Sequence, residues 1–233
     1  MVSFPLSFYS LCSRLLHILV YGLETILKEF NFTVFYLSVM LWNYTTPGIP
    51  DELFERSENV PITKEDIRSI VLSKLRLRRK YSVIDVGCGS GSITVEICLQ
   101  VNSKNVYAID SDKNAIELTA KNLDKFGVSA NLIHSKAEQV LHSLPAANAI
   151  FVGGTKGKTE KIIELCISKL KKDGRLVVDT ILIETMFKAL RTIKNQNMRN
   201  IEVTQVTIAK GKNVTSGTML VARNPILILS ATK

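Results

Sequence analysis

Cysteine is scarce in this sequence, and its spacing suits neither a metal site nor a disulfide framework. The four cysteines are Cys12, Cys88, Cys98 and Cys166, and they form no C-x-x-C pair or other zinc-ligand pattern. We therefore expect no metal site and interpret the cysteines as small buried thiols. Free thiols of this kind are typical of a reducing cytosol, so we expect a cytoplasmic protein.

Long apolar runs, internal repeats and low-complexity tracts are also missing. The longest charge-free apolar run, residues 30–42, is shorter than the roughly 20 residues that a membrane-spanning helix needs. Before it, Arg14 is an isolated basic residue, and no small-residue cleavage site follows, so a signal peptide is not indicated. We therefore expect neither a membrane span nor a secretory leader.

Residues 1–42 differ in composition from the rest of the chain, because they are rich in Phe, Leu and Tyr and carry few charges. We interpret them as an apolar N-terminal extension and residues 43–233 as the functional domain. The extension could be a helical appendage, a weak membrane-surface anchor or upstream sequence that is translated in error. We favour the last explanation, because Met40 begins a plausible shorter chain.

Composition and charge indicate a globular protein with an anionic partner. Apolar residues make up 46% of the chain and charged residues 22%, which excludes a disordered chain. The net charge of +9 favours a nucleic acid, a membrane surface or a polycarboxylate small molecule. Charge alone does not choose among these partners.

A glycine-rich turn organises the sequence. The β-branched run 81–86 is typical of a buried parallel strand, and Gly87, Gly89 and Gly91 follow it before a helical pattern opens. This order of strand, turn and helix lets a backbone approach a bound nucleotide closely. A dinucleotide fingerprint would place a third glycine at Ser92, so a dinucleotide ligand is not favoured.

The pattern D-x-G-x-G-x-G, which begins at Asp85, resembles the first motif of class I S-adenosylmethionine methyltransferases. The resemblance implies that S-adenosylmethionine is the cofactor and that the loop lies against its methionine part. Asp85 would face the ligand's ammonium group or hold the loop through backbone hydrogen bonds. The implied loop contacts are Gly87, Cys88, Gly89, Ser90 and Gly91.

Five alternating strand and helix patterns predict an α/β fold. Thr63–Asp66 matches a capping box for the first helix, and the tail predicts two long antiparallel strands, residues 201–209 and 219–229. We therefore expect a Rossmann-like, doubly wound, mostly parallel sheet with an antiparallel C-terminal edge strand. This is the architecture of class I methyltransferases.

Ligands in such sheets bind at the carboxyl ends of the strands. Asp110 ends the second predicted strand, where a carboxylate can accept hydrogen bonds from a ribose diol; its alternative role is a helix cap. Lys136 and Ala137 lie where class I enzymes approach adenine, often with an acid, so we expect backbone amides to hold the base. Thr46, Ser111 and Gly153 complete the predicted cofactor contacts.

Several phrases, taken together, resemble the decarboxylating C15-methyltransferases of the cobalamin pathway, which act on cobalt-precorrin-6B. They are residues 61–68, 89–96, 151–155, 180–185, 217–219 and 223–225. The resemblance covers about residues 45–229, and Lys210 stands where the family has arginine. It implies methylation of the macrocycle at C15, loss of CO2 from the ring C acetate, and a homotetramer.

The implied substrate is an anionic tetrapyrrole, which suits the positive charge of the chain. Its methyl acceptor is an electron-rich carbon, so alignment can supply most of the catalysis and no catalytic residue is assigned. We interpret His134 and His142 as surface or structural residues. The candidates for contacts with substrate carboxylates, each of which could instead be merely solvated, are Lys64, Arg68, Lys156, Lys158, Lys210 and Arg223.

Two alternatives stay open, a methyltransferase of RNA or tRNA bases and a non-catalytic protein that binds S-adenosylmethionine. The turn after the fourth predicted strand, residues 152–155, reads Val-Gly-Gly-Thr and cannot stack a base as an Asn-Pro-Pro-Tyr turn does. No RNA-binding appendage is recognisable, so we expect no nucleic-acid partner.

Overall fold

A seven-stranded sheet orders the part of the chain that this computed structural model describes, residues 41–101 and 104–233. The predicted extension therefore lies outside the described residues up to position 40, and its role stays a prediction. From Tyr44 onward the chain forms one compact unit. The strands are β1 Val83–Val86, β2 Val106–Asp110, β3 Asn131–His134, β4 Ala147–Val152, β5 Leu170–Thr180, β6 Arg199–Val206, β7 Ala209–Val214, β8 Gly217–Ala222 and β9 Ile226–Thr232.

Helices alternate with the first five strands of the sheet. They are α1 Glu65–Leu75, α2 Ser92–Val101, α3 Lys113–Lys125, α4 Ala137–Val140, α5 Thr159–Lys169 and α6 Ile183–Asn195, with short 3-10 turns at Asp51–Leu53 and Leu141–Ser143. All four residues of β1 are buried, as expected for a central parallel strand with both faces covered. None of the helices in this part of the chain is long and apolar enough to cross a membrane.

The strand order β3-β2-β1-β4-β5-β9-β6 confirms the predicted fold class. The first five of these strands are mutually parallel, and β9 runs antiparallel to both β5 and β6. The antiparallel C-terminal strand thus lies one position in from the edge. Its last five residues are buried, whereas β6 carries exposed polar residues such as Glu202, so the more apolar strand occupies the interior position.

The tail contains four strands where the sequence predicted two, so that prediction is wrong. Residues 207–208 and 223–225 interrupt the two apolar runs, and β7 and β8 pair only with each other in a separate hairpin. Pro225 has no N–H to donate to a ladder, which helps to end the second run there. The base of the hairpin closes through the Arg223 N–H, which donates to the Ile208 carbonyl at 2.9 Å.

The start of α1 also differs from the prediction. The N-cap residue is Lys64, and it makes no side-chain capping bond, so Thr63 does not form the expected capping box. Instead the Glu65 N–H donates to Oδ1 of Asp51 at 3.0 Å. A carboxylate from a preceding segment therefore satisfies the helix N-terminus, a partner that the local pattern did not reveal.

Candidate functional site

The loop after β1 lies at the switch point of the sheet, between β1 and its neighbours β2 and β4. Gly87 and Gly89 have φ angles of +81° and +56°, which side chains other than glycine rarely adopt. A Cβ atom on Gly87 would lie 2.9 Å from the Gly154 nitrogen, and one on Gly89 would lie 3.0 Å from the Pro61 carbonyl oxygen. Glycine at both positions therefore lets the backbone itself form the wall of the site.

Two clefts adjoin at this loop. The first has a volume of about 730 Å³ and extends toward the ends of β5 and β9. The second has a volume of about 520 Å³ and extends toward the end of β2. Residues that line both clefts are Pro61, Gly87, Gly89, Gly153, Gly154, Thr155 and Lys156. A ligand in one cleft would therefore lie next to a ligand in the other.

Asp110 lines the second cleft and is oriented by the backbone around it. Its Oδ2 accepts from the Gly89 N–H at 3.1 Å, and its Oδ1 accepts from the Asp112 N–H at 2.9 Å. The cap of α3 is Asp112, whose side chain accepts from the Asn114 N–H. Since each carboxylate oxygen of Asp110 can accept a second hydrogen bond, both could hold a ribose diol.

Other predicted cofactor residues meet Asp110 in the second cleft. Ser111, Lys136 and Ala137 line it together with Gly153. The Ser111 hydroxyl accepts from the Lys156 ammonium at 2.8 Å, and the same ammonium lies 4.0 Å from Oδ1 of Asp110. These contacts close one side of the cleft with a lysine that also reaches the first cleft.

An acid does lie near the predicted adenine region. Glu138 lines the second cleft beside Lys136, but its carboxylate accepts a hydrogen bond from Lys158. That bond lowers the pKa of Glu138 and keeps the group ionised. Lys158, which we considered for substrate contacts, is therefore paired within the second cleft.

Asp85 is enclosed beneath the loop and lines neither cleft. It is fully buried, and its Oδ2 accepts from the Thr94 hydroxyl of α2 at 2.5 Å. Its Oδ1 has no hydrogen-bond partner among the described residues. Burial, which is only partly offset by the bond from Thr94, raises the pKa of this carboxyl to about 7. No described backbone hydrogen bond joins Asp85 to the loop, so that predicted contact is not present. The predicted contact with the ligand's ammonium group stays a prediction.

Three further predicted cofactor residues lie outside the two clefts. Thr46 is exposed, while Ser90 and Gly91 face the protein interior behind the loop. The Ser90 carbonyl accepts from the Asn122 side chain at 2.8 Å, and a Cβ on Gly91 would lie 2.7 Å from Thr119. Ser90 and Gly91 therefore fix the loop against α3, and their contact with the cofactor stays a prediction. Cys88 lines the first cleft but not the second, so its contact with the cofactor stays a prediction.

Arg68 corrects a prediction, because it cannot contact a substrate. Its side chain is fully buried and donates to Glu96 and Asp51, each at 2.7 Å. It also donates to the carbonyls of Ile49 and Thr63. With all three guanidinium nitrogens engaged, Arg68 joins the segment before α1 to α2 and has a structural role.

Lys210 is a second correction. It belongs to β7, lines neither cleft, and pairs with Glu65 and with Asp66, whose Oδ2 lies 3.0 Å from its ammonium. The hydrogen bond to Glu65 raises the pKa of Lys210, so the charge is held on this contact. Lys210 therefore attaches the hairpin to the start of α1.

The remaining cations do line the first cleft. They are Lys64, Lys156 and Arg223. Nη1 of Arg223 is buried and has no hydrogen-bond partner among the described residues. A buried donor without an acceptor is costly, so this guanidinium is suited to receiving an anionic ligand group.

Asp179 is a residue that the sequence interpretation missed. It lies near the end of β5, is half-buried and lines the first cleft. Burial and, to a lesser extent, the charge of Asp85 raise its pKa to about 7. A sequence signal existed, because β1, β2 and the second half of β5 are apolar and carry an aspartate at or next to the last position of the strand.

Neither histidine considered above lines a cleft, as expected. His134 is exposed, and its ring lies 3.2 Å from the Ser111 carbonyl, while His142 is an exposed residue of the second 3-10 turn. Within residues 41–101 and 104–233 no three side chains are grouped as metal ligands would be. The arrangement therefore offers a nucleoside-type cleft beside a cation-lined cleft that contains one carboxylate.

Comparison with known proteins identifies a matching family and a similar protein that carry related names. The precorrin methyltransferase domain family matches residues 52–233. A protein of Saccharolobus solfataricus, named probable cobalt-precorrin-6B C(15)-methyltransferase (decarboxylating), is 48% identical over 198 residues, which cover 83% of this chain and 100% of that protein.

Two solved structures are similar over most of the fold. Precorrin 8W decarboxylase from Methanobacterium thermoautotrophicum has a TM-score of 0.75 at 32% identity, covering 78% of this chain and 98% of the other. Precorrin-6Y C5,15-methyltransferase from Geobacter metallireducens has a TM-score of 0.76 at 30% identity, covering 82% of this chain and 100% of the other. With its glycine loop, its two clefts and these relatives, the chain belongs to the precorrin methyltransferase domain family.

Proposed function

We propose that this protein transfers a methyl group from S-adenosylmethionine to C15 of cobalt-precorrin-6B and releases the ring C acetate carboxyl as CO2. The observation that carries the proposal is the pair of adjoining clefts, which share the glycine loop and Lys156. The name of the Saccharolobus solfataricus relative supports the same reaction.

The second cleft is the proposed site of the cofactor, whose sulfonium supplies the methyl group. Asp110 accepts from the ribose diol, and its orientation is fixed in advance by the N–H groups of Gly89 and Asp112. The backbone at Lys136 and Ala137 approaches the adenine, and the loop glycines leave room for the methionine part. Each of these roles uses a group that lines the second cleft.

The first cleft is the proposed site of the macrocycle. Lys64, Lys156 and Arg223 are spread around it and can pair with peripheral carboxylates of a tetrapyrrole. Holding the acceptor carbon in line with the methyl group lowers the entropic part of the barrier, so methyl transfer needs no strong base. The protein's part in methylation is therefore mainly alignment.

The hairpin supports a homotetramer. Every residue of β8 is exposed, including Met219, Leu220 and Val221, and an isolated two-stranded hairpin is marginal in water. We propose that β7 and β8 pack against other copies of this chain in a cytoplasmic enzyme. Light scattering during gel filtration should report a tetramer, and Leu220→Glu should dissociate it; a monomeric wild-type protein would contradict the proposal.

The test of the reaction uses two substrates in parallel. Purified protein is given methyl-labelled S-adenosylmethionine with cobalt-precorrin-6B and, separately, with unmodified tRNA. We expect label in the corrinoid, release of CO2 and no label in tRNA. Label in tRNA alone would favour the base methyltransferase, and binding without turnover of either substrate would favour a non-catalytic protein.

A further inference from the structure

The end of β5 places one carboxylate in an otherwise side-chain-poor part of the first cleft. Val86, Val152 and Val178 are in register across β1, β4 and β5. The next residue along each strand is Gly87, Gly153 and Asp179. Gly87 and Gly153 have no side chain, so Asp179 contributes the polar side chain among these three neighbouring positions. All three residues line the first cleft.

Charged and titratable groups face Asp179 from several elements, yet none pairs with it. Asp85 lies on β1 beneath the loop, and Cys88 is in the loop itself. Lys64 lines the cleft from the start of α1, Lys156 from the segment after β4, and Arg223 from the segment before β9.

Among the described residues no lysine, arginine or histidine nitrogen lies within 4.0 Å of an Asp179 oxygen. The ion pairs in this part of the chain all involve other carboxylates. An ionised carboxylate in this position would be partly desolvated without a counter-ion. The neutral acid is therefore favoured over the anion relative to an exposed aspartate.

The proposed reaction requires a proton at a defined carbon. When the acetate loses CO2, the bond between its CH2 carbon and its carboxyl carbon breaks, and the electron pair passes into the conjugated macrocycle. The former CH2 carbon must then take up one proton to become a methyl group. Until it does so, CO2 can recombine with that carbon, so the protonation controls the net release of CO2. An acid of the protein that lines the first cleft can supply that proton beside the bound macrocycle.

We propose that Asp179 is the catalytic acid of the decarboxylation, donating its carboxyl proton to the former CH2 carbon of the ring C acetate. This inference rests on the proposed function. The electron pair returns from the macrocycle to form the new C–H bond, Asp179 is left as the carboxylate, and water restores its proton after product leaves. Cys88 is a poorer donor because burial raises the pKa of its thiol far above neutrality.

The rate of CO2 release should depend on pH, because the protonated form of Asp179 is the active one. With a pKa of about 7, Asp179 is largely protonated below neutrality and loses its proton above it. CO2 release at saturating substrate should therefore fall as pH rises through about 7. Binding of S-adenosylmethionine in the second cleft should not follow the same profile, because Asp179 does not line that cleft.

The decisive variant is Asp179→Asn, which keeps the shape of the side chain and removes the acidic proton. Cobalt-precorrin-6B labelled in the ring C acetate carboxyl is used in single turnovers, and labelled CO2 is counted. We expect CO2 release to slow by roughly 100-fold or more, in the range that general acid catalysis contributes, and its pH step to disappear. Asp179→Glu should recover part of the rate and keep a pH step.

Asp124→Asn is the matched control, since it removes one negative charge from an exposed position of α3 outside both clefts. It should release CO2 at the wild-type rate. Thermal stabilisation by S-adenosylmethionine should be retained in every variant, which verifies the fold. Should Asp179→Asn not fold, the wild-type pH profile and Asp179→Glu still decide the question.

Two results would separate the inference from the function on which it rests. Wild-type protein that releases no CO2 from cobalt-precorrin-6B would overturn the proposed function. Wild-type protein that releases CO2, with Asp179→Asn within about threefold of it or with no decline above pH 7, would overturn the role of Asp179 alone.

Discussion

Two groups of ionisable side chains in this protein differ in how they are paired. The closed cluster consists of Arg68, Asp51 and Glu96, in which the arginine is fully buried and donates to both carboxylates. The open cleft wall contains Asp179 and Arg223, which have no such partners among the described residues. The same residue types therefore serve the fold where they are paired and remain available to a ligand where they are not.

The physical reason lies in desolvation. Moving a charge out of water is unfavourable, and a cluster with complete hydrogen bonding compensates for it within the folded chain. For Arg223 in the open cleft wall the compensation has to come from a ligand, which favours a partner with carboxylates. Substitutions in the two groups should consequently affect different measurements.

The largest effect is expected for Arg68→Ala. Its loss leaves Glu96 buried without a counter-charge and Asp51 with only the Lys64 ammonium, at 3.6 Å, which should lower the free energy of unfolding by about 3–5 kcal/mol. Urea unfolding measures this change, and the exposed Arg78→Ala is the control, with a change within about 0.5 kcal/mol. A stable Arg68→Ala protein with a raised KM for the tetrapyrrole would instead restore Arg68 as a substrate contact.

Asp110→Ala should produce the next largest effect. Asp110 lies between the two cases, because backbone N–H groups orient it while its carboxylate still faces the second cleft. A charge-assisted hydrogen bond contributes about 1.5–3 kcal/mol, so S-adenosylmethionine should bind roughly 10- to 100-fold more weakly. Calorimetry gives the affinity, and an unchanged value in a folded variant would contradict the ribose assignment.

Arg223→Ala tests the open cleft wall directly. We expect the KM for the tetrapyrrole to rise about tenfold, because one carboxylate loses a charged partner, while the affinity for S-adenosylmethionine is unchanged. The exposed Lys172→Ala in β5 removes an equal charge outside both clefts and should change neither value. Equal losses in both variants would mean that net charge, which salt screens, attracts the substrate rather than this contact.

The smallest effect is expected from shortening the chain so that it begins at Met40. The closed cluster and the open cleft wall both lie after that residue, and the family match begins at residue 52. The shortened protein should fold, bind S-adenosylmethionine and remain monodisperse by light scattering. Aggregation on shortening would show that the removed segment covers an apolar surface, and the predicted extension would then be part of the functional protein.

Local patterns in the sequence were enough to predict the first strand, its glycine loop and the position of Asp110. Each of these features depends on residues close together in the chain, where an apolar run, a turn that needs glycine and the end of a strand have local signatures. The resemblance to the family added the reaction. Asp179 has the same local signature as Asp85 and Asp110 and could have been predicted in the same way.

Other features depend on which distant residues meet. The sequence presents Arg68 and Arg223 as equivalent cations. Only folding places Asp51 and Glu96, which are 17 and 28 positions away, around Arg68. Likewise, β9 lies between β5 and β6 because its apolar residues bury on both faces.

The sequence by itself therefore determined the alternation of the first five strands with helices, the glycine loop and the acidic residue at the end of β2. Only the tertiary structure decided which charges are paired, where the last strand inserts and that Asp179 faces the same cleft as Arg223. The reason is that pairing and burial are set by packing between segments far apart in the chain, and no local sequence pattern specifies those contacts.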